Sequence, residues 1–399
     1  EAEQFTPELK VLTLHGDDRH SRFGDIETSD LVLTTYPLLV RDADILLAQQ
    51  YHYVVLDEAQ AIKNSATKMA KIVRELKSNH RLCLTGTPLE NHLGELWSLY
   101  DFLMPGFLGN LQTFNRCYRV PIEKQGNVEK RSALARRLQP FMLRREKHEV
   151  AAELPPKTEI LHHVEFGKEQ AQFYESIRVA MDKRVREAIK QQGVSRSHIT
   201  ILDALLKLRQ VCCDPRLVKL DRAKKVKSSA KLEWLMELLP EQLEEGRRIL
   251  LFSQFTGMLS LIEDELKQRN IYYTKLTGQT RKRDEAIQRF RDGDVNLFLI
   301  SLKAGGTGLN LVEADTVIIY DPWWNPAVEA QAIDRAHRIG QDKPVFIYKL
   351  VTANSVEEKM LAMQDKKRAL AKGIYSESGG DETALLNADT LRDLFSPLS

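Results

Sequence analysis

Short apolar runs of strand length recur along the chain, and each ends in a polar or glycine-containing turn. They are DLVLTTYP around Leu31, YHYVVLDEAQ around Tyr53, RLCLTGTP around Leu82, RILLFSQF around Ile249, NLFLISLKAGG around Leu297, TVIIYDPWW around Val317 and VFIYKL around Val345. These runs are continuous and rich in Val, Ile and Leu rather than alternating, which predicts strands of a parallel sheet buried on both faces. Amphipathic helical stretches lie among them, such as ATKMAKIVRELK after Ser65 and MLSLIEDELKQR after Gly257. Strand, polar turn, helix and strand in alternation is an α/β pattern.

The strands fall into two groups, one before about Leu89 and one after about Arg247. The region between them is charged and helix-favouring, with few strand signals, a break at Leu154-Pro155-Pro156, and soft linkers at Gln191-Gln192-Gly193 and Ser228-Ser229. The pattern predicts two α/β lobes with helical insertions. Residues 1–148 form the first lobe with a helical insertion, 149–235 the linker and the helical insertion of the second lobe, 236–375 the second lobe, and 376–399 a polar tail with a short helix at Ala388 to Phe395.

Of the 399 residues, 43% are hydrophobic and 29% charged, which suits a soluble globular protein with more than one core. No run is long and uncharged enough for a membrane helix. The opening EAEQFTPELK is no signal peptide, and it leads without an initiator Met into VLTLHG, as the middle of a fold would. Cys83, Cys117, Cys212 and Cys213 show no zinc spacing or disulfide framework, so a reducing cytosolic setting is expected, with Cys212-Cys213 as small apolar filler at a helix end. The net charge of +2 does not announce a nucleic-acid partner.

Three segments carry candidate chemistry. Asp57-Glu58 follows Tyr53-Val54-Val55-Leu56, at the C-terminal end of a predicted strand, where ligands bind in open α/β sheets. One carboxylate there can hold Mg²⁺ through its water shell while the other takes a proton from an attacking water. An acidic strand end entering a helix N-terminus explains the same dipeptide. Leu84-Thr85-Gly86-Thr87-Pro88 reads equally as a phosphate-touching tip or as turn punctuation. In the run Ser301 to Leu311, glycines let backbone amides approach a phosphate. Gln331, Arg335 and Arg338 are spaced four and three apart and so share one helical face as an anion-binding surface.

The ordered set resembles the Snf2 family of superfamily 2 helicase-like ATPases over nearly the whole chain. LVLTTYPLL is similar to motif Ib, DEAQAIKN to motif II, LTGTPLEN to motif III, ILLFSQFTGML to motif IV, SLKAGGTGLNL to motif V and QAIDRAHRIGQ to motif VI. LRREKHEVAAELPPKTE and LLKLRQVCCDPRL resemble two stretches that set Snf2 proteins apart from other helicases.

The resemblance implies two RecA-like lobes, ATP and Mg²⁺ as cofactors, and movement along the backbone of double-stranded DNA without sequence reading. It implies Asp57 for Mg²⁺, Glu58 as the base activating water, and Arg335 and Arg338 as arginine fingers reaching across from the second lobe, with Gln331 beside them. Thr85, Gly86 and Thr87 would couple nucleotide state to DNA contacts. Trp323-Trp324 matches a coupling position, although packing of a loop by aromatics explains the pair as well. Thr34, Thr35, Ser253, Gln254, Thr277, Gly278 and Lys303, with Gly305, Gly306 and Thr307, would contact or flank the DNA backbone.

Motif II reads DEAQ rather than the commoner DEAH or DEGH, a form that points to a bacterial source and a cytoplasmic, nucleoid-associated protein. The 399 residues contain no G-x-x-x-x-G-K-[ST] and no shorter GKT or GKS. The expectation is therefore the C-terminal portion of an ATP-dependent DNA translocase, inactive alone and with an incomplete first lobe. The alternative is a non-catalytic DNA- or partner-binding module. A monomer is expected, with a transcription or repair protein as candidate partner and no membrane.

Overall fold

Ile249-Leu250-Leu251-Phe252-Ser253 is buried at every position, which requires a strand covered on both faces. It is β6 of a six-stranded sheet in a computed structural model that describes residues 2–86, 92–143, 145, 153–193, 196–220, 223, 226, 228–305, 309–323, 325–363 and 394–397. The chain divides into two units, one running to Phe141 and the other beginning at Met142.

In the first unit, β1 (Val11–Thr13) pairs in parallel with β2 (Leu31–Leu33), and β3 (Gln50–Leu56) with β4 (Lys77–Cys83). Helices α1 (Lys68–Glu75) and α2 (Leu93–Leu103) share a core with Val54 and Leu56 of β3 and Cys83 of β4. The sequence predicts β3 and β4 covered on both faces, and here the structure differs. Tyr53 and Val55 of β3 and Leu82 of β4 are exposed, because the helices just named cover the opposite face. Tyr53 stacks on its register partner His80, with ring centroids 4.7 Å apart.

The second unit holds β5 (Lys157–Val164), β6, β7 (Thr274–Leu276), β8 (Leu297–Ser301), β9 (Thr316–Ile319) and β10 (Val345–Thr352), all parallel, in the order β5-β10-β9-β6-β8-β7. Side chains alternate between two cores: Leu250, Phe252, Phe298 and Ile300 enter one, Ile249, Leu251, Leu297 and Leu299 the other. Each such fully buried side chain is worth roughly 1.5–3 kcal/mol. β5 lies in the region between Leu89 and Arg247, where the sequence carries few strand signals. Its sequence KTEILHHV is half-exposed because an edge strand needs only β10 as partner, so it lacks the continuous apolar signature.

The insertion contains α3 (Lys168–Gln192) and α4 (His198–Cys213), around a core of Phe173, Tyr174, Ile201, Leu205 and Leu208, and leads into α5 (Ala230–Glu244), whose Leu235, Met236 and Leu239 pack in the sheet core with Ile249 and Leu251. Helices α6 (Thr256–Gln268), α7 (Arg283–Arg291) and α8 (Pro326–Ile333) follow β6, β7 and β9. Ser229, read as soft linker, is instead buried, and its hydroxyl donates to the Cys213 carbonyl. Cys212 and Cys213 are wholly buried, and burial pushes both thiols well above their ordinary pKa, as filler requires.

The predicted tail, including its helix at Ala388 to Phe395, lies outside the described residues except for 394–397. Among the described residues no helix is long and apolar enough to cross a membrane.

Candidate functional site

In the first unit, β3 delivers Asp57 and Glu58 at its C-terminal end, both exposed. The Asp57 carboxylate accepts the Glu58 N–H at 2.9 Å, and the Asp57 carbonyl accepts the Tyr36 hydroxyl at 2.8 Å. Burial pushes the Tyr36 hydroxyl pKa far up, so it stays a donor. Glu58 takes a left-handed backbone (φ 48°), rare for a residue with a Cβ and found where the surroundings over-determine it. The turn is fixed by a bond from the Ala59 N–H to the Leu84 carbonyl.

Gln60 then joins the two acidic and hydroxyl segments. Its amide N–H donates to Glu58 Oε2 at 2.7 Å, and its amide oxygen accepts the Thr85 hydroxyl at 2.7 Å. Gly86 is exposed with nothing within 4 Å of where a Cβ would stand, and Thr87 lies outside the described residues. Thr34 and Thr35 are exposed just past β2, Thr35 as the N-cap of the short helix Tyr36–Arg41.

In the second unit the chain crosses β6 in passing from β8 to β9, and such a reversal opens a crevice at the strands' C-terminal ends. Ser253 at the end of β6 is fully buried, and its hydroxyl donates inward to Asp321, so it supports this edge from within. Gln254 is half-buried, and its Nε2 is a buried donor with no hydrogen-bond partner among the described residues. Thr277 and Gly278 occupy a tight turn after β7, closed by the Thr277 N–H donating to the Thr280 hydroxyl and the Thr280 N–H to the Thr277 carbonyl. Lys303 and Gly305 fall in the single helical turn Leu302–Gly305, while Gly306, Thr307 and Trp324 lie outside the described residues. Trp323 is half-buried, and its backbone N–H donates to Glu329 at 2.7 Å.

Gln331, Arg335 and Arg338 do not share one helix, contrary to their spacing. Helix α8 carries Gln331 and ends at Ile333, and the chain continues in tighter turns, with Ala336 N–H bonded to the Ile333 carbonyl. Cross-links draw the carbonyls of this stretch sideways. The Arg335 carbonyl accepts the Leu311 N–H, and the Gln341 amide donates to the carbonyls of Val312, Ala314 and Ala336. Arg335 is buried and donates to the Leu309 carbonyl, whereas Arg338 is exposed.

Residues 1–217, more than half of the chain, match the family described as SNF2-related domain, and residues 230–340 match that described as Helicase conserved C-terminal domain. The chain belongs to the Snf2 family. An uncharacterized ATP-dependent helicase of Mycoplasma pneumoniae is 36% identical over 98% of this chain and 37% of its own length. The human SWI/SNF-related matrix-associated actin-dependent regulator of chromatin subfamily A member 1 is 37% identical over 93% of this chain and 37% of its own length. The solved Sulfolobus solfataricus SWI2/SNF2 ATPase core in complex with dsDNA is 36% identical, covering 98% of this chain and 82% of that one, with a TM-score of 0.48. The chain thus spans little more than a third of the length of these two curated relatives.

As a Snf2 protein it has the α/β fold of two RecA-like lobes with helical insertions. Sequence reading singled out the Snf2 motif residues but missed those that hold them: Gln60, Arg209, Asp321, Glu329 and Gln341. Gln60 was legible as the departure in DEAQ, and Gln341 as the end of RIGQ. Arg209 and Asp321 gave no signal, because each acts on residues far away in sequence, and Glu329, which accepts from Trp323 within the same turn, was not singled out either.

Proposed function

We propose that this chain carries the greater part of an ATP-dependent motor that moves along double-stranded DNA. The reading rests on the collection of polar groups at the C-terminal ends of parallel strands: Asp57, Glu58 and Thr85 in one unit, and Gln254, Thr277 and the Asp321 turn in the other. Asp57 fits Mg²⁺ held through water, since its carboxylate is exposed and among the described residues pairs with no Lys or Arg. Bound Mg²⁺–ATP supplies the phosphoryl group whose hydrolysis drives the motor. Glu58 would take the proton of the attacking water, and Arg335 and Arg338 would supply positive charge to the phosphates. Gln254, Thr277, Gly278 and Lys303, with Thr34 and Thr35, contact or flank phosphates rather than base edges, as sequence-independent movement requires. Trp323-Trp324, with Thr85, Gly86 and Thr87, couples the two activities, and the protein works at the bacterial nucleoid.

Because the 399 residues hold no G-K-[ST] loop, the phosphates must be gripped by residues outside them. ATP hydrolysis is therefore expected from a form extended upstream through such a loop, stimulated by duplex DNA, and not from the 399 residues alone. These alone should still bind duplex DNA, with affinity that falls steeply with salt and is indifferent to sequence. Turnover by the 399 residues would refute the first expectation. Failure of the extended form to hydrolyse ATP would leave binding without catalysis.

Gln60→Leu in the hydrolysing form should cut turnover by about tenfold, the worth of the bonds linking Glu58 to Thr85, with ATP affinity unchanged. Wild-type turnover in steady-state kinetics would show that this link is dispensable.

A further inference from the structure

Three consecutive residues after β9 are each held by a different element. The Asp321 carboxylate, fully buried, accepts the Ser253 hydroxyl and the Gln254 N–H at the end of β6. The Pro322 carbonyl accepts an N–H of Arg209, which stands on α4 in the helical insertion. The Trp323 N–H donates to Glu329 of α8. Arg209 is itself 3% exposed, with its guanidinium 5.9 Å from the centre of the Phe255 ring and 4.0 Å from Asp321 Oδ2.

This arrangement is a poor way to stabilise a core. At 4.0 Å the ion pair is long, and Arg209 Nε is buried with no hydrogen-bond partner among the described residues. Burying a guanidinium on such terms costs more than packing an apolar side chain of the same length. Burial also pushes the Asp321 carboxyl above its ordinary pKa despite Arg209 and Ser253. What Arg209 supplies that an apolar residue cannot is a fixed donor to the Pro322 carbonyl. Local costs of this kind are expected where a geometry is needed for function.

We propose that Arg209 is a positioning residue, through which the helical insertion sets the conformation of the Pro322–Trp323 turn and thereby the response of this edge of the sheet to DNA. The proposal rests on the DNA-translocase reading for its consequence but not for its geometry. The insertion is then part of the coupling apparatus.

The test uses the 399-residue chain with Trp97, Trp234 and Trp324 replaced by Phe, so that Trp323 alone reports. In Arg209→Met, the acrylamide quenching of Trp323 should rise in the free, folded protein, and the urea midpoint should fall, since the buried Asp321 carboxylate and the Pro322 carbonyl each lose a partner. Duplex DNA affinity should fall roughly tenfold, the scale of one hydrogen bond to a charged group. Arg209→Lys, which retains a donor and the charge, should restore part of both signals. If Arg209→Met fails to fold, Glu329→Leu, which removes the acceptor of the Trp323 N–H, must raise Trp323 quenching from the other side of the turn. Unchanged quenching in a folded Arg209→Met or Glu329→Leu variant overturns the proposal. Failure of the parent chain to bind duplex DNA instead sinks the translocase reading, and quenching alone then decides the clamp.

Discussion

Lys231→Met is expected to cost the second unit about 3–5 kcal/mol, the penalty for breaking a buried ion pair from one side. Lys231 is 1% exposed, and its ammonium spends all three donors inside the protein: on Glu357 at 2.6 Å and on the carbonyls of Tyr320 and Leu350 at 3.1 and 3.0 Å. Burial works against its charge, but Glu357 more than compensates, and the ammonium's pKa stands above its ordinary value. The sign follows: the pair's contribution is complete below the pKa of a free lysine and is lost only as pH rises through the higher folded value. It is therefore fully present at neutral pH. Glu357 in turn accepts the Thr352 N–H at the end of β10, so one lysine at the start of α5 ties that helix to two strands. Methionine keeps the length of the side chain but strands the Glu357 carboxylate. Lys231→Met with Glu357→Met should recover most of the loss, since removing both charges removes the uncompensated one. Urea denaturation in a Trp97→Phe background reads the second unit through Trp234, Trp323 and Trp324. A loss below about 1 kcal/mol in Lys231→Met, the level of a surface pair, would contradict the assignment.

Glu58→Gln in the hydrolysing form should lower ATP turnover by about 10²–10⁴, the range for removing a general base. The substitution is nearly isosteric, and glutamine can still accept the Gln60 amide through its own carbonyl oxygen. The left-handed turn and the link to Thr85 should therefore survive, while the basicity is lost. Affinity for ATP and for duplex DNA should be unchanged, and single-turnover kinetics separate the chemical step from binding. A Glu58→Gln variant that hydrolyses ATP at the wild-type rate would remove Glu58 from the base role.

The sequence by itself determined the fold class, because buried parallel strands must be nearly all apolar, and β6, β8 and β9 declare themselves in that way. It also determined the ends of these strands as the place for chemistry, since polar residues at fixed offsets after apolar runs mark the strands' C-terminal edge. Asp57, Glu58 and Thr85 were singled out on that ground, whereas Gln254 and Thr277 came only from the resemblance to Snf2 motifs. The helix assumed for Gln331, Arg335 and Arg338 was not decided by spacing. α8 ends at Ile333, and just beyond it the Arg335 and Ala336 carbonyls accept from the Leu311 N–H and the Gln341 amide instead of continuing the helix. Edge strand β5 escaped for the converse reason: with a single strand partner, it has no need of a continuous apolar run. Tertiary structure alone decided the buried polar links. Arg209 reaches Pro322 across 113 residues of chain and Lys231 reaches Glu357 across 126, distances at which no periodicity carries information. A side chain's local pattern reports which face of its own element it occupies, whereas the partner that satisfies a buried charge is chosen by packing.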